Sequence, residues 1–311
     1  MIHIFALLLG LAMVICGANA LVEGASSIAR KTGNSEFVIG LVIVGFGTSL
    51  PELVVSVTGA IARNSDIAVG NVIGSNVFNT CFILAVSALF SPVEITRSNK
   101  LQDIPFAILA AFIVALMGKY GGLSRLDGVV LLLLFSGYLY WSFRNGQAES
   151  GSFDNEQSKD VSAWLSAGMV VAGLALLIFG GRLFVHSAEA IARMLGVSDK
   201  FIAITVLAMG TSLPEFVTSI VALAKKRSQM ALGNIIGSNV FNLLLILGVS
   251  AVISPTSFAR VDIYDYSALL LSIILVWTSV YTGKKNVLDR FDASLMLVAF
   301  SAYMVKIFLA L

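Results

Sequence analysis

The chain has 311 residues, 58% of them hydrophobic and only 12% charged, with a formal net charge of +2 and a mean hydropathy of +0.93. Soluble domains carry roughly half apolar and a quarter charged residues, so this balance excludes a water-soluble domain and points to an integral membrane protein. No basic run is long enough to expect nucleic acid as a partner, and two cysteines without a CxxC or Cys/His cluster exclude a disulfide framework and a zinc site.

Apolar stretches of about 20 residues recur, the length an α-helix needs to cross a hydrocarbon core of about 30 Å; a β-barrel would show short alternating segments instead. In chain order they predict ten spans, near 2–27, 36–62, 67–91, 103–119, 125–143, 162–192, 199–224, 229–254, 262–281 and 289–310. The first ends on Ala18-Asn19-Ala20 like a signal peptide. It lacks the positively charged start of one and matches 165–193 at an offset of 163, with Ile28-Ala29-Arg30 returning as Ile191-Ala192-Arg193, so it reads as a span. Cys16 and Cys81 fall within spans and read as small apolar packing residues.

The second and third spans carry Gly47-Thr48-Ser49-Leu50-Pro51-Glu52 and then Gly70-Asn71-Val72-Ile73-Gly74-Ser75-Asn76-Val77-Phe78-Asn79. The seventh and eighth carry nearly the same block, Gly210 to Glu215 and Gly233 to Asn242, again 163 positions on. A repeat of this kind marks two related halves, and in each copy a glutamate stands in apolar sequence, where an ionisable group is costly. The polar stretch Arg144 to Asp160 separates the halves. Five spans per half make the second copy enter the membrane from the opposite side, the inverted repeat of secondary transporters. The expected fold is therefore an all-α integral membrane protein with ten transmembrane helices in two inverted five-helix repeats. Residues 1–143 form the first repeat (motif 40–82), 144–161 a cytoplasmic linker and 162–311 the second repeat (motif 203–245).

Loops 1–2, 3–4, 5–6, 7–8 and 9–10 hold twelve Lys and Arg residues, and the other face seven. By the positive-inside rule the richer face is cytoplasmic, which puts both termini outside in a multi-pass plasma-membrane protein surrounded by the lipid bilayer.

Read as continuous helix, Thr48 and Ser49 lie four and three residues before Glu52, on one face, and Ser75 lies four before Asn79. From Glu52 to a turn near Asn64 is about 18 Å at ~1.5 Å per residue, and the return from Asp66 reaches Ser75 after about 14 Å and Asn79 after about 20 Å. Glu215, Ser238 and Asn242 repeat that sum from the opposite surface, so the expectation is one site near the midplane. Pro51 and Pro214, read as interior helix prolines, would free the carbonyls of Gly47 and Gly210. Hydroxyls, carboxylates, amide oxygens and carbonyls suit hard cations such as Ca²⁺ and Na⁺, not soft metals. Gly70, Gly74, Gly233 and Gly237 would permit close helix packing.

Elsewhere, Glu23 and His186 align across the repeat and read as interfacial groups, while Arg182 reads as a snorkelling side chain. Asp103, Asp127, Asp262, Asp289 and Asp292 stand near predicted helix starts and are expected to cap them. Without HExxH, GxSxG or an Asp pair in matched spans, no enzyme is expected. A channel would repeat its pore ring through parallel subunits, unlike an inverted repeat within one chain. A Ca²⁺/H⁺ antiporter remains the close alternative, because a buried glutamate can carry protons, whereas two hydroxyl-rich half-sites favour Na⁺.

The duplicated GTSLPE and GNxxGSN blocks resemble the α-repeats of the cation/Ca²⁺ exchanger superfamily, above all the prokaryotic sodium/calcium exchangers, over essentially the whole chain. That resemblance implies an antiporter of Na⁺ and Ca²⁺ with no cofactor, working as a monomer. It makes Glu52 and Glu215 ligands shared by both ions. Thr48, Ser49, Thr211, Ser212, Ser75 and Ser238 would add oxygens, as would the carbonyls of Gly45 and Ala208, with Asn79 and Asn242 at the remaining corners of a diamond. It also implies that the long first and sixth helices slide over a core holding the site. One position departs: the best-studied archaeal-type members have Asp where this chain has Asn242. The fixed charge is then −2, and exchange of three Na⁺ for one Ca²⁺ would move one charge per cycle.

Overall fold

The computed structural model describes residues 2–146, 162–196, 210–282 and 286–309. Most of the expected linker, and the first part of the expected seventh span, lie outside these residues. Among the described residues, seven helices are long and apolar enough to cross a membrane: α1 (Ile2–Thr32), α4 (Ser65–Phe90), α5 (Asn99–Lys119), α6 (Arg125–Gly146), α7 (Ala163–Met194), α9 (Ser228–Ile253) and α11 (Arg290–Leu309). An eighth follows if α2 (Glu36–Thr48) and α3 (Leu50–Ile61), bent by 50° at their junction, count as one span. The helices α8 (Leu213–Ala224) and α10 (Ile263–Ser279) are apolar but shorter. The protein is thus an all-helical membrane protein; among the described residues the exceptions are one antiparallel pair of two-residue strands, β1 (Val93–Glu94) and β2 (Val287–Leu288), which hydropathy does not signal, and an isolated bridge between Leu123 and Thr256.

Contacts group the chain into two compact units, Met1–Pro51 with Tyr140–Asn234 and Glu52–Leu139 with Ile235–Leu311. In the first unit α1 and α7 run antiparallel along most of their length. Gly10, Gly17 and Gly24 recur every seven residues on the shared face. A Cβ at Gly17 would come within 2.7 Å of the Gly173 carbonyl oxygen, and one at Gly24 within 2.8 Å of the Ser166 carbonyl oxygen. Small residues at this spacing bring backbones together where lipid gives little hydrophobic drive for helix pairing. Ser166 also donates to Ser27 Oγ at 2.7 Å. At the helix ends Lys225 pairs with Glu23 and Arg227 with Glu36, both at 2.6 Å. Arg182 and His186 are exposed.

The second unit packs α5, α6, α10 and α11 with the inner segments of α4 and α9. Phe78, Phe82 and Phe300 meet at ring separations of 4.9 to 5.7 Å. Four of the five aspartates expected at helix starts do cap. Asp262 accepts from the backbone N–H groups of Tyr264 and Asp265, Asp289 from those of Phe291 and Asp292, Asp127 from Ser124, and Asp292 from Asp289. Asp103 does not. It is buried inside α5, accepting hydrogen bonds from Asn99 Nδ2 at 3.2 Å and Tyr138 Oη at 3.1 Å. The helix begins four residues earlier, at Asn99, through a π-helical turn that carries Asp103 past the start.

The turns that end α3 and α8 are alike. Arg63 and Lys226, 163 positions apart, adopt left-handed φ values of 55° and 59°. Behind each, the next N–H closes back onto the helix, Asn64 to the Gly59 carbonyl at 2.9 Å and Arg227 to the Ala222 carbonyl at 2.8 Å. Glycine is the usual residue at such a helix end; here both copies place a basic residue there.

Candidate functional site

The helix carrying Thr48 ends at that residue. Ser49 takes φ −82° and ψ 6°, outside helical geometry, and α3 then opens on Leu50-Pro51. Ser212 does the same before Leu213-Pro214, with φ −89° and ψ 8°. This corrects the expectation of an interior proline kink. Each proline stands in the first turn of a new helix, where its missing N–H costs nothing. Thr48 and Glu52 accordingly do not share one continuous helical face. The carbonyl of Gly45 accepts from Ser49 N–H at 3.1 Å.

Both glutamates are fully buried, as are Thr48, Ser212, Ser238, Asn79 and Asn242, and Ser49 and Ser75 are within 5% of it. Thr211 is half-buried. Ala208 lies outside the described residues.

The first unit brings Ser49 and Glu215 together: the serine hydroxyl, released from helical geometry by the break, donates to Glu215 Oε1 at 3.1 Å. The other carboxylate oxygen, Oε2, is buried with no hydrogen-bond donor among the described residues. Thr48 Oγ1 has the Val44 carbonyl at 3.0 Å, the Gly45 carbonyl at 3.4 Å and Asn234 Oδ1 at 3.2 Å.

In the second unit Asn79 and Asn242 stand within π-helical turns, Asn79–Leu84 and Phe241–Ile246. Such turns hold one extra residue and frequently occur at functional sites. Neither amide makes a hydrogen bond among the described residues, although both are buried. Leaving a buried polar group unpaired costs about 1–3 kcal/mol, so oxygens of this kind imply a partner that the side chains do not supply. A cation bound through oxygen is such a partner, and the donor set fits a hard one.

Two further residues bond to the backbone of the two glutamates and were not singled out by sequence reasoning. Asn234 Nδ2 donates to the Glu215 carbonyl at 3.2 Å and to Ser219 Oγ at 2.9 Å. In the other copy Asn71 Nδ2 donates to the Glu52 carbonyl at 3.2 Å and to Ser56 Oγ at 2.9 Å. The signal was present, since Asn71 and Asn234 occupy matched places in the repeat, but the partners 15 and 19 residues earlier emerge only when the helices pair. Of the glycines expected to permit close packing, Gly233 meets that expectation and Gly70 and Gly74 do not. Gly233 lies against the Phe37 carbonyl, closer than a Cβ would tolerate, while nothing among the described residues stands within 4 Å of a Cβ at Gly70 or Gly74.

The family model described as "Sodium/calcium exchanger protein" matches residues 2–144 and 165–309. A putative antiporter, CaxA of Alkalimonas amylolytica, is 36% identical over 97% of both chains. The sodium/calcium exchanger MaX1 of Methanosarcina acetivorans is 30% identical over 99% of both. A solved structure of the sodium-calcium exchanger NCX_Mj, soaked with Na⁺ and Ca²⁺, superposes with a TM-score of 0.84 at 32% identity, covering 99% of this chain and 98% of that one.

Proposed function

The chain belongs to the sodium/calcium exchanger family and is a cation/Ca²⁺ antiporter of the membrane, and on that premise we propose that it exchanges Na⁺ for Ca²⁺ by alternating access, with Glu52 and Glu215 as the charged ligands. The observation that carries this reading is the set of buried oxygens, at Glu215, Asn79 and Asn242, that have no hydrogen-bond partner among the described residues. Thr48, Ser49, Thr211, Ser212, Ser75 and Ser238, with the carbonyls of Gly45 and Ala208, complete the proposed oxygen set.

Two ionised glutamates give −2, which one Ca²⁺ neutralises and three Na⁺ exceed by one charge. Exchange of three Na⁺ for one Ca²⁺ is then electrogenic and couples to the membrane potential at about 2.3 kcal/mol per 100 mV. The fold of the proposal is ten crossings in two inverted repeats, with α2–α3 counted once and α8 and α10 each counted as a span. Both termini face outward from a plasma membrane, and the monomer is the working unit.

Radiolabelled Ca²⁺ uptake into everted vesicles tests it. An imposed Na⁺ gradient is expected to drive uptake, and uptake under a pH gradient with no Na⁺ present would replace Na⁺ with H⁺ as the counter-ion. Saturable counterflow that needs an ion on the opposite side separates the antiporter from a channel.

A further inference from the structure

Two asparagines outside the expected ligand set make the same pair of hydrogen bonds in both copies of the repeated block. Asn234 is fully buried. Its amide nitrogen is spent on the Glu215 carbonyl and Ser219 Oγ, and its oxygen faces the Thr48 hydroxyl at 3.2 Å. Turning the amide over would set its oxygen against the Glu215 carbonyl, two acceptors facing each other, so the hydrogen-bond network defines one orientation. Residues 215 and 219 are one helical turn apart. The amide therefore ties the first full turn after Pro214, including the backbone of the glutamate, to α9. Asn71 makes the same bridge from α4 to residues 52 and 56, with the same two lengths.

Thr48 adds a second element. Its hydroxyl has a single hydrogen and three near acceptors, the Val44 carbonyl at 3.0 Å, the Gly45 carbonyl at 3.4 Å and Asn234 Oδ1 at 3.2 Å. A hydroxyl that ligates a cation must point its hydrogen away from the ion. Asn234 gives that hydrogen a destination other than the threonine's own helix, and so sets which way the lone pairs of Oγ1 face.

We propose that Asn71 and Asn234 are positioning residues for cation binding: each amide locks the helical turn that bears a glutamate ligand, and Asn234 also orients the Thr48 hydroxyl. The inference rests on the reading of Glu52 and Glu215 as ion ligands. A bridge of this kind acts on how well the oxygens are preorganised, so its loss raises the ion concentration needed for half-maximal flux more than it lowers the maximal rate.

The test uses the full chain reconstituted in proteoliposomes, with half-saturating Ca²⁺ and maximal rate measured for Asn71→Ala and Asn234→Ala. Half-saturation is expected to rise about tenfold in each, equivalent to about 1.4 kcal/mol, with the maximal rate within about twofold of the parent. Ser56→Ala and Ser219→Ala remove one bond of each bridge and are expected to shift half-saturation the same way by less; they carry the test if an asparagine variant does not fold. In an Asn234→Ala background, Thr48→Val is expected to add less than it does alone. Unchanged half-saturation in both asparagine variants, with effects confined to thermal stability or maximal rate, overturns the inference and leaves the bridges purely structural. Glu52→Gln and Glu215→Gln run alongside: if they transport like the parent, the ion-site reading itself fails, whereas inactive glutamine variants beside asparagine variants of parental half-saturation sink the positioning role alone.

Discussion

The two copies of the repeated block build the same amide bridge in unlike surroundings. Around Glu215 the bridging Asn234 is fully buried, and the neighbouring Gly233 is pressed against the backbone of Phe37. Around Glu52 the bridging Asn71 is half-buried and Gly70 is exposed. Yet the bridge lengths are 3.2 and 2.9 Å in both. The bridge is therefore fixed by the helical hairpin that contains it, glutamate helix, left-handed basic turn and asparagine helix, while its cover is fixed by whatever packs on top. What is duplicated is the hairpin.

The comparison breaks first at the charges. If both hairpins hold ligands, Glu52→Gln and Glu215→Gln should each abolish Na⁺-driven Ca²⁺ flux, a loss of at least about a hundredfold for an interaction worth ~3 kcal/mol. One dead and one active variant would show that only one copy binds the ion. The difference in cover is sharpened by a pair of small substitutions. Gly233→Ala forces its Cβ into the Phe37 carbonyl and should destabilise the protein by about 1–3 kcal/mol. Gly70→Ala meets nothing among the described residues and should be neutral or stabilising by up to ~1 kcal/mol through helix propensity. Thermal unfolding of the purified protein in detergent compares the two, and equal shifts would remove the distinction.

A smaller effect is expected from charge added at matched places. Asn242→Asp makes the fixed charge −3 in place of −2. It should lower half-saturating Ca²⁺ severalfold, about 1 kcal/mol, and should make flux fall as pH drops and the new carboxylate takes up protons. Flux assays across pH with competing Na⁺ measure this, and a pH profile identical to the parent would place residue 242 away from the ion. Smallest of all should be the loss of the partly exposed Lys225–Glu23 pair, where Lys225→Ala is expected to change stability by less than about 1 kcal/mol.

Much of this architecture could be read in advance because a bilayer leaves few choices: helices must be long and apolar, and a glutamate kept among them stands out. The duplicated block, specific in both residue type and spacing, carried the resemblance that the family model then showed to be membership. What could not be read is what depends on pairing. Nothing in the local sequence of Asn71 says that its amide will find residues 52 and 56. The break at Ser49 and Ser212 was misjudged as a kink because a proline at position two of a new helix and one inside a bent helix leave the same letters. Asp103 looked like a cap until the π-helical turn moved the helix start upstream. Ala208, implied by family resemblance, lies where the structure offers no description.

The π-helical turns that hold Asn79 and Asn242 also set which way the rest of each helix faces. A turn of that type is an α-helix with one residue inserted, and it is normally lost as easily as it is gained, by a single deletion that restores regular winding. It occurs at matched alignment positions in both copies of the block, within the one-residue latitude of helix boundaries. The letters leading into it are the same in both, Gly74 to Asn79 and Gly237 to Asn242, whereas Thr80, Cys81 and Phe82 stand opposite Leu243, Leu244 and Leu245. A one-residue deletion in either copy would turn every side chain beyond it by about 100° around the helix axis.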